Sequence, residues 1–170
     1  MIEIAKIGLC SAFACGIQEV YPARIMNFES LPQYWINRLS FILRKELTIK
    51  FRENGFQISP EEWGMLLNLW QQDGWTPTEL ADQTIRDRTT VTRLIDGMVK
   101  KNLVTREIDP DDRRRSLILL TPHGKSIQQQ VVPIAQGLIQ QSLEGVSPED
   151  IHHVVRVLRQ MTQNILEPPT

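Results

Sequence analysis

Cysteine and histidine are scarce in this chain of 170 residues, and their scarcity counts against several kinds of chemistry. The two cysteines, Cys10 and Cys15, have no neighbouring histidine, so they are weak candidates for a metal site and are expected to stay reduced. The three histidines, His123, His152 and His153, have no cysteine or serine nucleophile at a motif spacing, and a glycine-rich phosphate loop is missing. We therefore expect no enzyme activity and no cofactor. A zinc site using His152 or His153 is a weaker alternative, which metal analysis would test.

Long apolar runs and a strong net charge are lacking as well. The apolar run at residues 7–17 is too short to span a membrane, and residues 12–15 make a poor signal-peptide cleavage site. We therefore expect a cytoplasmic protein without a membrane partner.

The net charge is −1, but the segment Arg86–Arg115 has nine basic and six acidic residues, which gives +3 there and −4 elsewhere. This polarisation directs one part of the chain toward phosphates.

A pair of short helices is predicted within that part of the chain. Thr76 can cap the first helix, with Pro77 at the first helical position and Glu79 completing a capping box. Asp87 can cap the second helix, whose apolar residues recur at the spacing of one helical face. They are Val91, Leu94, Ile95, Met98 and Val99. One face of the second helix is therefore predicted to be core.

The opposite face of the second helix carries short hydroxyl side chains and arginine, with Asp96 and Lys100 further along it. Such side chains suit a helix that lies in the major groove of DNA. The predicted DNA-binding residues of this helix are Arg88, Thr89, Thr90, Thr92 and Arg93.

A two-stranded ribbon with a basic tip is predicted after Asn102. Two segments with strand propensity, L-V-T-R-E-I-D and S-L-I-L-L-T, flank the turn-forming run D-P-D-D-R-R-R. The tip residues Arg113, Arg114 and Arg115 suit the narrow, negative minor groove of DNA, although a solvated hairpin would show the same run. The order helix, turn, helix, strand, tip, strand indicates a winged helix-turn-helix.

Two amphipathic helices are predicted before the helix pair. The first, from Pro32 to about Arg52, has more apolar surface than a small domain needs: Ile36, Leu39, Leu43 and Leu47, widened by Trp35, Phe41 and Ile42. The second is capped by Ser59-Pro60-Glu61-Glu62, and its predicted buried stripe is Trp63, Leu66, Leu67 and Trp70. A role of Trp63 or Trp70 in a ligand pocket is the less favoured alternative to a core position.

Two further amphipathic helices are predicted after the ribbon. Thr121-Pro122 starts one with the stripe Ile127, Val131, Ile134 and Leu138, in which Pro133 is expected to produce a kink. Ser147-Pro148-Glu149 caps the last, with the stripe Ile151, Val154, Val155, Leu158, Met161 and Ile165. A winged helix cannot cover all of these stripes, so we expect a two-fold homodimer. A monomer whose helices fold over its own core is the alternative.

The predicted fold class is therefore mainly α with a small β-ribbon, a winged helix-turn-helix flanked by dimerisation helices. Residues 1–30 form an extension of unknown role, and residues 31–58 the first dimerisation helix. Residues 59–121 form the DNA-binding region, and residues 122–170 the C-terminal dimerisation helices.

Residues 90–124 resemble the signature of the MarR family of bacterial winged-helix regulators. In that family a recognition helix ends near Lys-Lys-Gly-Leu-Val, followed by D-P-x-D-R-R and L-T-x-x-G; here Asn102 replaces the glycine, as left-handed helix caps tolerate. The resemblance implies a homodimeric DNA-binding repressor or activator. The favoured function is that of a repressor on a palindromic operator in double-stranded DNA. The resemblance also implies a small aromatic or anionic effector bound between the dimer helices and the winged helix. In addition, it implies that Asp112 braces an arginine, Arg114, that enters the minor groove.

Two details of this chain qualify the resemblance. Some family members sense oxidants through a cysteine in the first long helix, but this helix carries Ser40 and no cysteine, so that mechanism is not expected. The family-like sequence begins only around Met26, which predicts a translation start near that residue.

A competing function is a winged-helix module for protein–protein assembly, in which the basic tip meets an acidic partner. Steeply salt-dependent binding to a palindromic duplex would separate a DNA reader from such a module.

Overall fold

The fold was obtained as a computed structural model, which describes residues 27–167; the predictions for Cys10, Cys15 and Met26 lie outside this range. After a 3-10 turn at Phe28–Ser30, the described elements are α1 (Pro32–Glu53), α2 (Pro60–Gln71), α3 (Pro77–Thr84), α4 (Arg88–Lys100), β1 (Val104–Ile108), β2 (Ser116–Leu120), α5 (Pro122–Ser126), α6 (Gln128–Ser142) and α7 (Pro148–Leu166). The predicted mainly α fold with a small ribbon is confirmed.

The helices begin where their capping sequences predict. Ser59 and Thr76 each accept a hydrogen bond from the backbone N–H three residues later, and the glutamate there accepts one from the cap in return. Asp87 caps α4 through the N–H of Thr90, and Ser147 caps α7 in the same way. Each bond satisfies a backbone donor that the first helical turn would otherwise leave free.

The contacts of the chain fall into two units that meet within α1, between Ile42 and Leu43. In the first unit, the described part of α1 exposes most of its apolar side chains, among them Trp35, Leu39 and Phe41. The second unit contains the core, to which α1 contributes Leu47 and Phe51. Its fully buried side chains include Met65, Leu66, Leu69, Leu80, Val91, Ile95, Met98, Ile118 and Val131.

The buried stripe of α2 differs from the prediction. Met65, Leu66 and Leu69 are buried, whereas Leu67 is 39% exposed and Trp63 and Trp70 are only half-buried. The helix is rotated so that the two indoles lie at the edge of the core, where they pack edge-on at 5.6 Å. The Trp70 indole N–H then donates to the carbonyl oxygen of Gly124 at 2.9 Å. This polar requirement of a tryptophan is met at the edge of a core more easily than at its centre.

The single helix predicted after Thr121 is divided into two helices. α5 and α6 are separated at the buried Ile127, and Pro133 lies inside α6. Both Pro133 and Gln129, whose carbonyl loses its helical donor, are exposed, so water can satisfy that carbonyl. The kink expected at Pro133, inside α6, stays a prediction.

The ribbon is an antiparallel pair in the register Val104↔Leu120 to Ile108↔Ser116, and Ile118 also pairs with Trp75. Its base is fixed at Gly124, where a Cβ atom would lie 2.0 Å from the carbonyl oxygen of Leu103. Only glycine allows this close approach. The glycine of the L-T-x-x-G pattern thus sets how α5 meets the first strand.

Candidate nucleic-acid interface

Helix α4 has one face in the core and one in solvent. Val91, Ile95 and Met98 are fully buried and Leu94 is half-buried, but Val99 is 40% exposed, contrary to the prediction. At about 100° per residue, Val99 lies roughly 80° from Val91 and therefore at the edge of the buried stripe. The remaining surface of the helix is free for a ligand.

The predicted DNA-binding residues of α4 divide into two groups. Arg88, Thr89 and Arg93 are exposed, and the described residues offer none of these three side chains a hydrogen-bond partner. Thr92 is also exposed, but its hydroxyl donates to the carbonyl oxygen of Arg88 at 2.9 Å. Thr90 is half-buried, and its hydroxyl donates to the Asp87 carboxylate at 2.6 Å. Of the predicted DNA-binding residues on α4, the two arginines and Thr89 therefore keep free hydrogen-bond donors.

The start of α4 is held by Asp87. The hydroxyl of Thr90 and then its backbone N–H hydrogen-bond the carboxylate and lower the pKa of Asp87. A carboxylate at this place also interacts favourably with the positive end of the helix dipole. Asp87 therefore stays ionised and keeps the first turn of α4 formed.

The turn before α4 contains a residue that the sequence does not single out. Ile85 ends α3 in the left-handed conformation, with φ at 51°, and its side chain is 91% exposed. A β-branched residue is unfavourable in that conformation. The usual turn signal is a glycine, and its absence here left this feature unpredicted.

The tip of the ribbon, or wing, is shaped by two aspartates. Asp109 is buried and accepts from the backbone N–H of Asp111 at 2.9 Å, and Asp112 accepts from the backbone N–H of Arg114 at 3.0 Å. Asp112 thus braces Arg114 through its main chain rather than through its guanidinium group. Arg113 and Arg114 are exposed, and neither forms an ion pair within residues 27–167.

Arg115 differs from its two neighbours. Its guanidinium group lies 3.3 Å from the Glu79 carboxylate on α3 and 3.7 Å from that of Asp109. The backbone N–H and the hydroxyl of Thr76, followed by the Arg115 charge, lower the pKa of Glu79. Arg115 therefore connects the wing to the helix-turn-helix.

Two further ion pairs neutralise basic residues of the segment Arg86–Arg115. Arg106 on β1 pairs with Asp96 on α4 at 2.6 Å, and Lys101 pairs with the buried Glu62 at 2.7 Å. The remaining exposed cations are Arg88, Arg93 and Lys100 on α4 and Arg113 and Arg114 on the wing. We define the recognition surface as Arg88, Thr89, Arg93, Arg113 and Arg114, which includes four of these five exposed cations.

A small cavity lies beside this unit, between α1, α2 and α6. Its volume is about 170 Å³, and it is lined by Leu43, Arg44, Leu47, Pro60, Trp63, Ala135, Leu138 and Ile139. Arg44 is its one charged lining residue and donates to the Glu61 carboxylate at 2.8 Å. Trp70 does not line the cavity, so of the two tryptophans only Trp63 could contact a ligand there.

Comparison with known proteins places the chain in a family. A sequence model of the MarR family matches residues 58–116. An uncharacterised HTH-type transcriptional regulator of Bacillus subtilis (strain 168), YsmB, is 35% identical over 98 residues, which are 58% of this chain and 67% of the relative. The chain belongs to the MarR family of transcriptional regulators. The family resemblance is thereby confirmed, and the MarR family consists of regulators rather than enzymes.

Solved structures of MarR-like fold support the same architecture. BpsR of Bordetella bronchiseptica, described as regulated in its DNA binding by 6-hydroxynicotinic acid, has a TM-score of 0.72 at 22% identity and covers 81% of this chain and 97% of its own. The transcriptional repressor CouR, bound to a 23-mer DNA duplex, has a TM-score of 0.69 at 18% identity and covers 82% and 96%. At these identities the likeness shows the fold.

The described part of this MarR-family chain lacks two features. Residues 27–167 contain no helix that is long and apolar enough to cross a membrane. They also contain no group of three or more His, Cys, Asp or Glu side chains that could hold a metal ion.

Proposed function

We propose that this protein is a repressor that binds a palindromic operator in double-stranded DNA as a homodimer, and that a small ligand changes its affinity for the operator. It would act in the bacterial cytoplasm, where the chromosome lies. The observation that carries the proposal is the recognition surface: exposed cations and a free hydroxyl on α4, next to two exposed arginines on a braced wing tip.

Each part of the recognition surface suits a different groove. α4 would lie in the major groove, where Arg93 can donate two hydrogen bonds to a guanine. Arg113 and Arg114 would enter the flanking minor groove, where a guanidinium group meets strong negative potential. Thr90, Thr92 and Arg115, which we also predicted as DNA contacts, would act mainly by holding the start of α4 and the base of the wing.

A second copy of the chain is the proposed partner of the apolar surface that the fold leaves uncovered. α7 has no buried residue, although Val154, Val155 and Ile165 lie along its stripe. In the first unit, Trp35, Leu39 and Phe41 are each more than 50% exposed. Two-fold pairing is the commonest way to cover such surfaces. We therefore propose residues 31–58 and 122–170 as the dimerisation segments and residues 59–121 as the DNA-binding region.

The cavity beside Trp63 is the proposed site of the effector. Its volume of about 170 Å³ is smaller than most ligand pockets, but an apolar cavity of roughly 150 Å³ can hold a benzene ring. An anionic group on such a ring would compete with Glu61 for the guanidinium group of Arg44. A single-ring aromatic acid fits both features, and the regulation of BpsR by 6-hydroxynicotinic acid is a parallel in a protein of the same fold.

Selection of duplexes from a randomised library, followed by fluorescence anisotropy at several salt concentrations, tests the DNA-binding proposal. We expect the selected sequences to be palindromic and to bind two chains per duplex. The logarithm of affinity should fall linearly with the logarithm of salt concentration, by about 0.9 per neutralised phosphate. Recovery of no preferred sequence would overturn the proposal and favour a protein–protein module.

A further inference from the structure

Glu62 holds a buried carboxylate in the first turn of α2. The residue is 4% exposed, and its carboxylate accepts one hydrogen bond from the backbone N–H of Ser59 at 2.8 Å. Its other partner is the ammonium group of Lys101, which lies 2.8 and 2.7 Å from the two carboxylate oxygens. The same ammonium group donates to the carbonyl oxygen of Gln57 at 2.7 Å. All three ammonium protons are thus used inside the protein.

The carboxylate of Glu62 also lies directly against the end of α4. Lys101 is the C-cap residue of that helix, and its backbone N–H donates to the carbonyl oxygen of Gly97 at 3.1 Å. A Cβ atom on Gly97 would lie 3.5 Å from the nearer carboxylate oxygen of Glu62. The pair therefore ties the C-terminal end of α4 to the N-terminal end of α2.

The two adjacent lysines at this helix end have different surroundings. Residues seven apart share a helical face, so Lys100 lies on the face of Arg93, and Lys101 lies on that of Leu94. Lys100 is exposed, and it forms no ion pair with any residue that the structure describes. The basic patch counted from the sequence includes both lysines, but only Lys100 is placed to meet a phosphate.

We propose that Lys101 is a positioning residue that fixes the recognition helix on α2 through Glu62 and makes no contact with DNA. A buried carboxylate without its cation is strongly unfavourable. A shift or rotation of α4 at this end that separates Lys101 from Glu62 would leave the Glu62 carboxylate buried and unpaired. The pair therefore holds Arg88, Thr89 and Arg93 in the orientation in which they read bases. This proposal rests on the DNA-binding function proposed above.

Four variants of the full chain test it: Lys101→Met, Glu62→Gln, the double variant, and Lys100→Met as the matched loss of an exposed charge. Methionine keeps the apolar stem without the charge, and glutamine at position 62 keeps an acceptor for the capping box. Each variant is assayed for thermal unfolding. Anisotropy on the selected and a scrambled duplex is then measured at several salt concentrations, at a temperature where circular dichroism shows a folded protein.

We expect Lys101→Met to lower the unfolding midpoint by on the order of 5 °C or more, and Lys100→Met to leave it unchanged. The double variant should recover most of this loss, because no charge is then stranded. On DNA, Lys101→Met should keep the parent's salt slope. Its affinity for the selected duplex relative to the scrambled one should fall on the order of tenfold, which is about the discrimination that one base contact supplies. The double variant should not recover this preference, because the helix end stays untied.

Three results would overturn the proposal. If Lys101→Met lost equal affinity for both duplexes and its salt slope fell by about one unit, Lys101 would contact a phosphate. If the double variant recovered both its stability and its preference for the selected duplex, Lys101 would have a structural role only. A parent protein that binds no DNA would remove the proposed function, and the proposal with it, while the unfolding data would still measure the ion pair separately.

Discussion

At the scale of single residues, Ile85 carries conformational strain in the turn between α3 and α4. Its φ of 51° lies in the left-handed region, and its side chain is 91% exposed, so it gains little from packing. The chain accepts this conformation because the backbone N–H of Ile85 closes α3 on the carbonyl oxygens of Ala81 and Asp82. The strain is therefore offset by capping rather than by burial.

Replacing Ile85 with glycine should stabilise the fold. The left-handed conformation costs a residue with a Cβ atom about 1–2 kcal/mol, whereas glycine adds roughly 0.5–1 kcal/mol of chain entropy to be lost on folding. The Ile85→Gly variant should thus gain about 0.5–1 kcal/mol in the free energy of unfolding, measured by urea denaturation. Ile85→Ala keeps the strain and is the control, which should change little. A glycine variant no more stable than the alanine variant would contradict this account.

Residues whose role depends on near neighbours could be predicted from the sequence, and residues whose role depends on distant partners could not. Thr76, Glu79 and Asp87 were located correctly because a cap bonds only two or three residues away. The sequence places Arg115 among the DNA-binding arginines of the tip, because its partner Glu79 is 36 residues away. Lys101 and Glu62 are likewise 39 residues apart.

At the scale of elements, periodicity located the helices better than it located their buried faces. In α2, both the predicted stripe of Trp63, Leu66, Leu67 and Trp70 and the observed set of Met65, Leu66 and Leu69 fit a helical period. The choice between them is made by packing against α1, α3, α4 and β2, which the sequence of a single helix does not encode. In α4 the polar side chains mark the outward face more clearly, although Val99 is exposed at its edge.

The cap of α4 should make the recognition helix sensitive to acid. Because the pKa of Asp87 is lowered in the folded state, its contribution to stability is present above the ordinary carboxyl range and is lost as the pH falls through the lowered pKa. Asparagine caps helices about as well as aspartate but does not titrate. We therefore expect Asp87→Asn to unfold at a similar temperature near neutral pH and to lose stability less steeply than the parent below about pH 4. Identical acid profiles in the two proteins would show that Asp87 does not supply this dependence.

At the scale of the whole molecule, the uncovered stripe of α7 is the feature that calls for a partner. Val154, Val155 and Ile165 are exposed in the single chain, and the helix contributes nothing to the core. The sequence predicted the stripe from its period. The sequence could not predict whether the chain's own core covers this stripe, because the coverage depends on the direction in which the preceding loop places α7.

Truncation of the chain before Ser147 should therefore abolish the dimer. Light scattering is expected to find a monomer or an aggregate, and operator binding should be lost with the second recognition helix. A chain ending at Glu167, which keeps the whole of α7, is the matched control and should remain dimeric. A truncated protein that is still a dimer would place the interface elsewhere.

We proposed that α4 and the wing tip bind DNA together, and the variants Arg93→Ala and Arg114→Ala, compared on two duplexes, separate their two contributions. Anisotropy is measured on the selected operator and on a scrambled duplex at several salt concentrations. Arg93→Ala should lose roughly 1–3 kcal/mol more binding free energy on the operator than on scrambled DNA, because a base contact discriminates between bases by that amount. Arg114→Ala should weaken binding to both duplexes and flatten the salt slope by about one unit. Equal losses on both duplexes for Arg93→Ala, or no loss for Arg114→Ala, would contradict the account.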